Sequence, residues 1–358
     1  MLYREAGQFK TTYAEDMAVF PIRQDRIGIA VILLVAYVGV PLFASSFALT
    51  SVLIPMLVLT LAAIGLNILT GYAGLISLGT GAFMGVGAYA CFKLTTAFPE
   101  VNVLVWILAS GFFAAAVGVV FGLPSLRIKG LYLAVATLAA QFFLQWCFVR
   151  IGWLTNYSSS GSIEAARREL FGIQITGPGA SDVARYLCVL TLLVFLTWIA
   201  SNIVHGRIGR KWMMVRDMDI AAELMGVRLL PTKLLAFAVS SYFCGVAGAM
   251  LLFFHYGSME SIAFNIDLSF QILFMIIIGG LGSLIGSYFG AAFIAALPIV
   301  IKFAPQLVGL ELHSAHVDQA TVMIVGALII FFLIVEPHGL ARLWQIGKQK
   351  LRVWPFPY

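Results

Sequence analysis

The chain has 358 residues, of which 61% are hydrophobic and 11% charged, with a mean hydropathy of +0.99 and a formal net charge of +6. Soluble domains carry roughly 25% charged residues, so this composition excludes a soluble enzyme and indicates a polytopic membrane protein. The positive charge gathers in particular loops, a pattern that reports orientation in the bilayer and not a nucleic-acid partner.

Residues 1–26 hold four basic and four acidic side chains before any apolar run. A secretory signal opens on positive charge and reaches a short apolar core sooner, so no cleavage is expected and the first span stays in the mature protein. A bilayer core needs roughly 20 apolar residues per helix. That length predicts spans near 27–44, 49–69, 81–97, 103–122, 130–150, 184–204, 231–254, 267–281, 284–303 and 318–335. Cys91, Cys147, Cys188 and Cys244 all fall within or beside these apolar runs without metal-like spacing, as small buried or lipid-facing residues do.

Alternate loops share a charge sign. Arg127 and Lys129, then Arg207, Arg210, Lys211, Arg216 and Arg228, then Arg342, Lys348, Lys350 and Arg352 fall on one side, whereas Glu100, Glu260 and Glu311 fall on the other. The basic side is cytoplasmic by the positive-inside rule, which puts both termini in the cytoplasm. The expected organisation is a cytoplasmic segment 1–26, a transmembrane domain 27–340 and a basic cytoplasmic tail 341–358. Within the domain, 205–230 forms a cytoplasmic loop and 151–183 an outer one.

Two glycine-dense stretches are alike: "GLISLGTGAFMGVGA" from Gly74 and "GGLGSLIGSYFGAAF" from Gly279. An offset of about 205 residues lays Gly81 on Gly286, Gly85 on Gly290 and Phe83 on Tyr288. The same offset relates spans one to three to spans seven to nine in the same direction. The fold class expected is thus all-α, with about ten transmembrane helices in two parallel pseudo-repeats. Gly81 with Gly85, and Gly286 with Gly290, form G-x-x-x-G pairs, which permit close helix packing in lipid. A second reading makes "GYAGLISLGTGA" a broken or re-entrant segment, with Asn67, Ser77 and Thr80 flanking a solute path.

Ion-coupled carriers keep ionisable residues at mid-bilayer. Here Lys93 and Lys302 lie near predicted outer ends, where they can snorkel, and Asp267 sits at the mouth of the eighth span. Gln141 and Gln145, one turn apart in the fifth span, suit helix packing or a solute path. His313 and His316 have no third ligand nearby and read as a solvated pair. No G-x-x-x-x-G-K-[ST] occurs, so nucleotide phosphates are not cradled by that route.

The stretch "VRDMDIAAELMGVRLLPTK", residues 215–233, is charged where its surroundings are apolar. Helical spacing puts Arg216, Asp219 and Glu223 on one face and Met214, Met218, Ala221 and Met225 on another. Asp217 is the expected N-cap, Asp219 adds charge to the first turn, and Gly226 closes the C-terminus. Such a helix is too short and too charged to span.

"GRIGRKWMMVRDMDIAAELMGVRLLPTKLLAFAVSSYFCGVAGAM" (Gly206 to Met250) resembles the cytoplasmic loop and following span of branched-chain amino acid ABC transporter permeases. "GLNILTGYAGLISLGTGAFMGVGAYA" (Gly65 to Ala90), "LRIKGLYLAVATLA" (Leu126 to Ala139) and "IIIGGLGSLIGSYFGAAFI" (Ile276 to Ile294) resemble further blocks of the same family, the second of them a block of its larger permease subunit. The matches run in family order over most of residues 49–300.

The resemblance implies a permease of the bacterial inner membrane that pairs with a second permease, two ATPase subunits and a periplasmic binding protein. ATP and magnesium would sit on the partners, with no cofactor on this chain. It also implies that a short helix, here Asp217 to Gly226 with Ala221, Ala222 and Glu223 in motif positions, enters a groove on the ATPase. Glu223 follows the two alanines where the family's acid precedes them, and Asp219 stands nearer the usual place. The loop 151–183, with Glu164, Arg167 and Arg168, is open to a binding protein or to solvent. Hydrophobic amino acids are the expected cargo; urea or short amides are the alternative, and an ATP-independent carrier or channel is the rival class.

Overall fold

The computed structural model describes residues 23–125, 132–158, 162–170, 173–177, 179–307 and 339–353, with 323–324, 326–328, 330–332 and 334 between them. Residues 1–22, Arg127, Lys129, Glu311, His313, His316, half of the tenth span and the side chains of Lys302 and Arg352 lie outside the described residues.

The described chain is an all-α polytopic membrane protein. Eight helices are long and apolar enough to cross a membrane. They are α1 (Asp25–Phe43), α2 (Ala48–Tyr72), α4 (Val103–Leu123, continuing to Ser125), α5 (Tyr132–Arg150), α6 (Asp182–His205), α9 (Leu229–Tyr256), α10 (Ser261–Gly279) and α11 (Leu284–Ile301, continuing to Leu307). A ninth bundle helix, α3 (Thr80–Ala97), is shorter and rich in glycine. The charged loop forms α7 (Arg207–Asp217) and α8 (Asp219–Leu224), and the tail forms α12 (Gly339–Val353).

Helices α2 and α9 are the bundle's core, mostly buried, whereas α1 lies on the periphery with its apolar side chains exposed. Helix α9 packs most extensively against α4, α3 and α2. In lipid the hydrophobic effect does not drive this packing, so close approach and dispersion must. A Cβ at Gly248 would lie 1.9 Å from the Met84 carbonyl oxygen, and one at Gly87 2.0 Å from that of Gly245. Both α2 and α9 end in π turns, Ile68–Tyr72 and Leu251–Tyr256.

The 151–183 loop is partly ordered by short strands. β1 (Ile163–Glu164) pairs antiparallel with β4 (Ser258–Met259), and β2 (Glu169–Leu170) pairs with β3 (Ile173–Gln174). The β1–β4 ribbon joins the loop after α5 to the segment after α9, so both lie on one side of the bundle. Arg168 donates to the Thr95 carbonyl at 2.6 Å and to that of Pro99, anchoring the loop to the end of α3, while Glu164 and Arg167 stay exposed.

Helices α2 and α10 pack side by side, and the last turns of α2 meet the break that ends α10, so they point the same way. Those breaks, 73–79 and 280–283, fall at equivalent places under the 205-residue offset.

Candidate functional site

The two breaks form the structural centre of the site. Asn67, fully buried near the end of α2, donates from Nδ2 to the Ser283 carbonyl (2.8 Å) and Ser287 Oγ (3.0 Å). Its Oδ1 accepts from the Gly282 amide at 2.9 Å. One side chain thus satisfies backbone groups that the α10–α11 break frees from helical bonding. Gly71 lies against Gly282 so closely that a Cβ there would stand 2.2 Å from the Gly282 nitrogen.

Beyond Gly74 the chain runs irregularly to Thr80, where α3 begins. The N-cap residue, Gly79, offers no side chain, and the exposed amides of the first turn are taken by neighbours. Gly81 N donates to Ser269 Oγ at 2.8 Å and Ala82 N to Gln141 Oε1 at 2.7 Å. Gln141 Nε2 donates to the Phe264 carbonyl at 2.7 Å, and Ser269 Oγ donates to Gln141 Oε1 at 3.1 Å. Leu78 N donates to Thr137 Oγ1 at 2.9 Å. Helices α5 and α10 thereby cap α3 in trans, which holds the interrupted segment in place.

Asn67, Ser77, Thr80 and Gln141 are all buried, whereas Gln145 is half-buried. Asn67 and Gln141 join separate helices, Ser77 Oγ accepts from its neighbour Gly79 N at 3.4 Å, and the Thr80 hydroxyl has no partner among the described residues. The glycine pairs lie at close approaches. A Cβ at Gly290 would lie 1.8 Å from the Met275 oxygen and one at Gly286 2.7 Å from that of Gly279. At Gly81 it would meet Asn265 O at 2.8 Å, and at Gly85 the Phe148 ring at 2.5 Å.

The charged loop reaches this centre. In α7, Gly209, Trp212 and Val215 are buried at three-residue spacing, and Trp212 Nε1 donates to the Thr232 carbonyl at 3.0 Å. That packing holds the chain helical through Asp217, which corrects the expected start of the short helix. The N-cap is Met218, extended at φ −154° and ψ 101° with no side-chain cap; α8 runs Asp219–Leu224. Asp217 instead accepts from Arg216 at 2.9 Å. At the other end Gly226, at φ +83°, closes the helix as expected: Gly226 N bonds Glu223 O and Val227 N bonds Ala222 O, a Schellman pair.

Asp219 also departs from the expected charged face. It pairs with Lys233 Nζ at 2.7 Å and so fastens α8 to α9. Ala222 is fully buried and Ala221 half-buried beneath the helix. What α8 presents outward is Glu223 together with Met218, Ile220, Leu224 and Met225, the leucine 84% exposed. An apolar cluster of this kind outside the spans marks a contact surface.

Arg216 joins the two parts. Its Nη1 donates to the Gly71 carbonyl at 2.8 Å, and a Cβ at Gly74 would press on its Cγ at 2.8 Å. On the same side, Gly339 opens α12 at φ +68°, where a Cβ would stand 2.6 Å from Gly280 N. Sequence reasoning put Arg216 on the charged face but gave it no role, and it missed Lys233, Ser269, Gly282, Ser283 and Ser287. The glycine-rich breaks were the signal that a charged loop residue would find free carbonyls there.

Residues 48–333 match the family described as branched-chain amino acid transport system / permease component. The chain is 27% identical over 329 residues to the high-affinity branched-chain amino acid transport system permease protein LivM of Escherichia coli, covering 87% of this chain and 73% of the relative. It is 26% identical to LivM of Salmonella typhimurium, over 77% of this chain and 66% of the relative. It is also 24% identical to LivH of Salmonella typhimurium, over 80% of this chain and 92% of the relative. No solved structure matches the chain.

Proposed function

Because the chain belongs to the branched-chain amino acid transport permease family, we propose that it is the larger permease subunit of an ATP-binding-cassette importer. In this reading it is a multi-pass protein of the bacterial inner membrane that moves branched-chain or other hydrophobic amino acids. Its similarity to both LivM and LivH supports pairing with a second, related permease. Two ATPase subunits on the α8 side and a binding protein on the ribbon side complete the assembly.

The observation that carries the reading is the path from α8 to the breaks. Helix α8 projects Glu223, Ile220 and Leu224, is held to α9 by Asp219 and Lys233, and continues into Arg216 on the Gly71 carbonyl. An ATPase that grips this projection and closes on ATP displaces α8 with α7, and Arg216 transmits the displacement to the end of α2 and the α10–α11 break against it. The breaks are where this bundle can yield, because their backbone groups are held by side chains and not by a helical ladder. Movement there shifts α3 and α11 relative to α2 and α10. That is the change alternating access requires.

Co-purification tests the docking step. Leu224→Asp puts a charge into the exposed apolar cluster without touching a buried contact. ATPase subunits that remain bound, with leucine uptake intact, would remove α8 from the account.

A further inference from the structure

A cavity of about 630 Å³ opens between α3, α4 and α5 at the ribbon end of the bundle. Its walls are apolar, with Val86 and Ala90 from α3, Val117 from α4, and Leu144 and Phe148 from α5; the turn at 152–156 closes its top. Polar groups interrupt this lining, Tyr89 and Lys93 on α3 with Thr96 and Asn156 beside them. Tyr89 is 1% exposed, and its hydroxyl has no hydrogen-bond partner among the described residues. One helical turn on, Lys93 stands on the lining with its Nζ donating to Asn156 Oδ1 and 4.4 Å from the centre of the Trp153 ring.

The turn is shaped for this contact. Asn156 and Tyr157 both hold positive φ, 52° and 58°, a conformation that consecutive non-glycine residues rarely adopt and that costs energy. Among the described residues no carboxylate lines the cavity, so Lys93 brings a positive charge that only neutral groups meet.

We propose that this cavity binds one acidic phospholipid, with its phosphate on Lys93, an ester carbonyl accepting from the Tyr89 hydroxyl, and an acyl chain along the apolar walls. A single cation with no acid complements a monoanion. A zwitterionic amino acid would bring its ammonium to a cavity without a carboxylate, and a purely apolar guest would leave the Tyr89 hydroxyl without a partner and the Lys93 charge without a counter-charge. The two groups sit one turn apart on one face of α3, the order of depth in which a headgroup and its esters follow each other. Trp153, 58% exposed at the mouth, is the kind of residue that marks the bilayer interface. A free fatty acid offers a related monoanionic chemistry, and the readout separates the two.

The test is native mass spectrometry with lipid extraction on the assembled complex, purified in mild detergent from membranes that contain phosphatidylglycerol. Wild-type complex should retain about one phosphatidylglycerol per copy of this chain, and millimolar leucine should not displace it. Lys93→Gln, and independently Ala97→Trp at an exposed lining position, should each lower that retention at least fivefold. Lys350→Gln, an exposed cation on α12, should leave it unchanged. Retention by Lys93→Gln equal to wild type would overturn the assignment, as would displacement by leucine or recovery of fatty acid in place of the phospholipid. If Lys93→Gln fails to assemble, Ala97→Trp alone decides the matter.

Discussion

Arg216 and Gly71 are 145 residues apart in sequence, yet Nη1 of the first lies 2.8 Å from the carbonyl oxygen of the second. This charge-assisted bond ties the charged loop 205–230 to the last turn of a core helix. Loss of such a bond costs about 1.5–3 kcal/mol, so Arg216→Ala should weaken transmission by roughly tenfold or more. Arg216→Lys should recover only part of it, because a single ammonium cannot hold Asp217 and Gly71 in the guanidinium's geometry.

Asp219 and Glu223 should behave differently. Asp219 is engaged with Lys233, at 37% and 17% side-chain exposure, so reversing its charge should loosen α8 from α9. The pair is partly solvated and contributes about 0.5–1 kcal/mol. The double swap Asp219→Lys with Lys233→Asp should restore leucine uptake in whole cells. Glu223→Lys leaves that pair intact and should reduce ATPase co-purification without changing the thermal stability of the isolated permease.

Asn67→Ala removes three hydrogen bonds and leaves the half-buried Gly282 amide without its acceptor. Hydrogen bonds between membrane helices contribute about 0.6 kcal/mol on average and up to about 1.7, so the expected loss is about 1–3 kcal/mol. A fluorescence melt in detergent should show a clear drop in midpoint, with transport falling further than stability because the break loses its register.

At Gly290 an added methyl meets the Met275 carbonyl, a rigid backbone atom, at 1.8 Å, and overpacking of this kind typically costs about 1–3 kcal/mol. Gly290→Ala should therefore lower the yield of folded protein. Gly347→Ala, in α12 with nothing within 4 Å, should leave it unchanged. Equal yields from the two variants would contradict the close α10–α11 approach.

Much of this architecture was legible in the residues because lipid imposes one rule, a run of apolar residues long enough to cross. Spans 27–44, 49–69 and 103–122 match α1, α2 and α4 within a few residues, and the 205-residue offset paired the two glycine-dense stretches in which the breaks fall. What escaped was partner choice. Nothing in a pattern of polar positions says that Gln141 caps α3, that Asn67 crosses to Gly282, or that Asp219 turns inward to Lys233. Each of those depends on tertiary approach. Asp217 illustrates the limit: as a local signal it is a good N-cap, but the burial of Trp212 and Val215 carried the preceding helix through it and moved the cap to Met218.

The central claim is that Arg216 transmits motion from α8 to the helix breaks without itself holding the ATPase. It is tested most directly in proteoliposomes containing the assembled importer and its binding protein, with ATP hydrolysis and leucine uptake measured in the same sample. For Arg216→Ala the account predicts that the ATPase stays bound and hydrolysis persists while uptake per ATP falls about tenfold. Unchanged uptake per ATP, or loss of uptake only in proportion to lost ATPase, would contradict it.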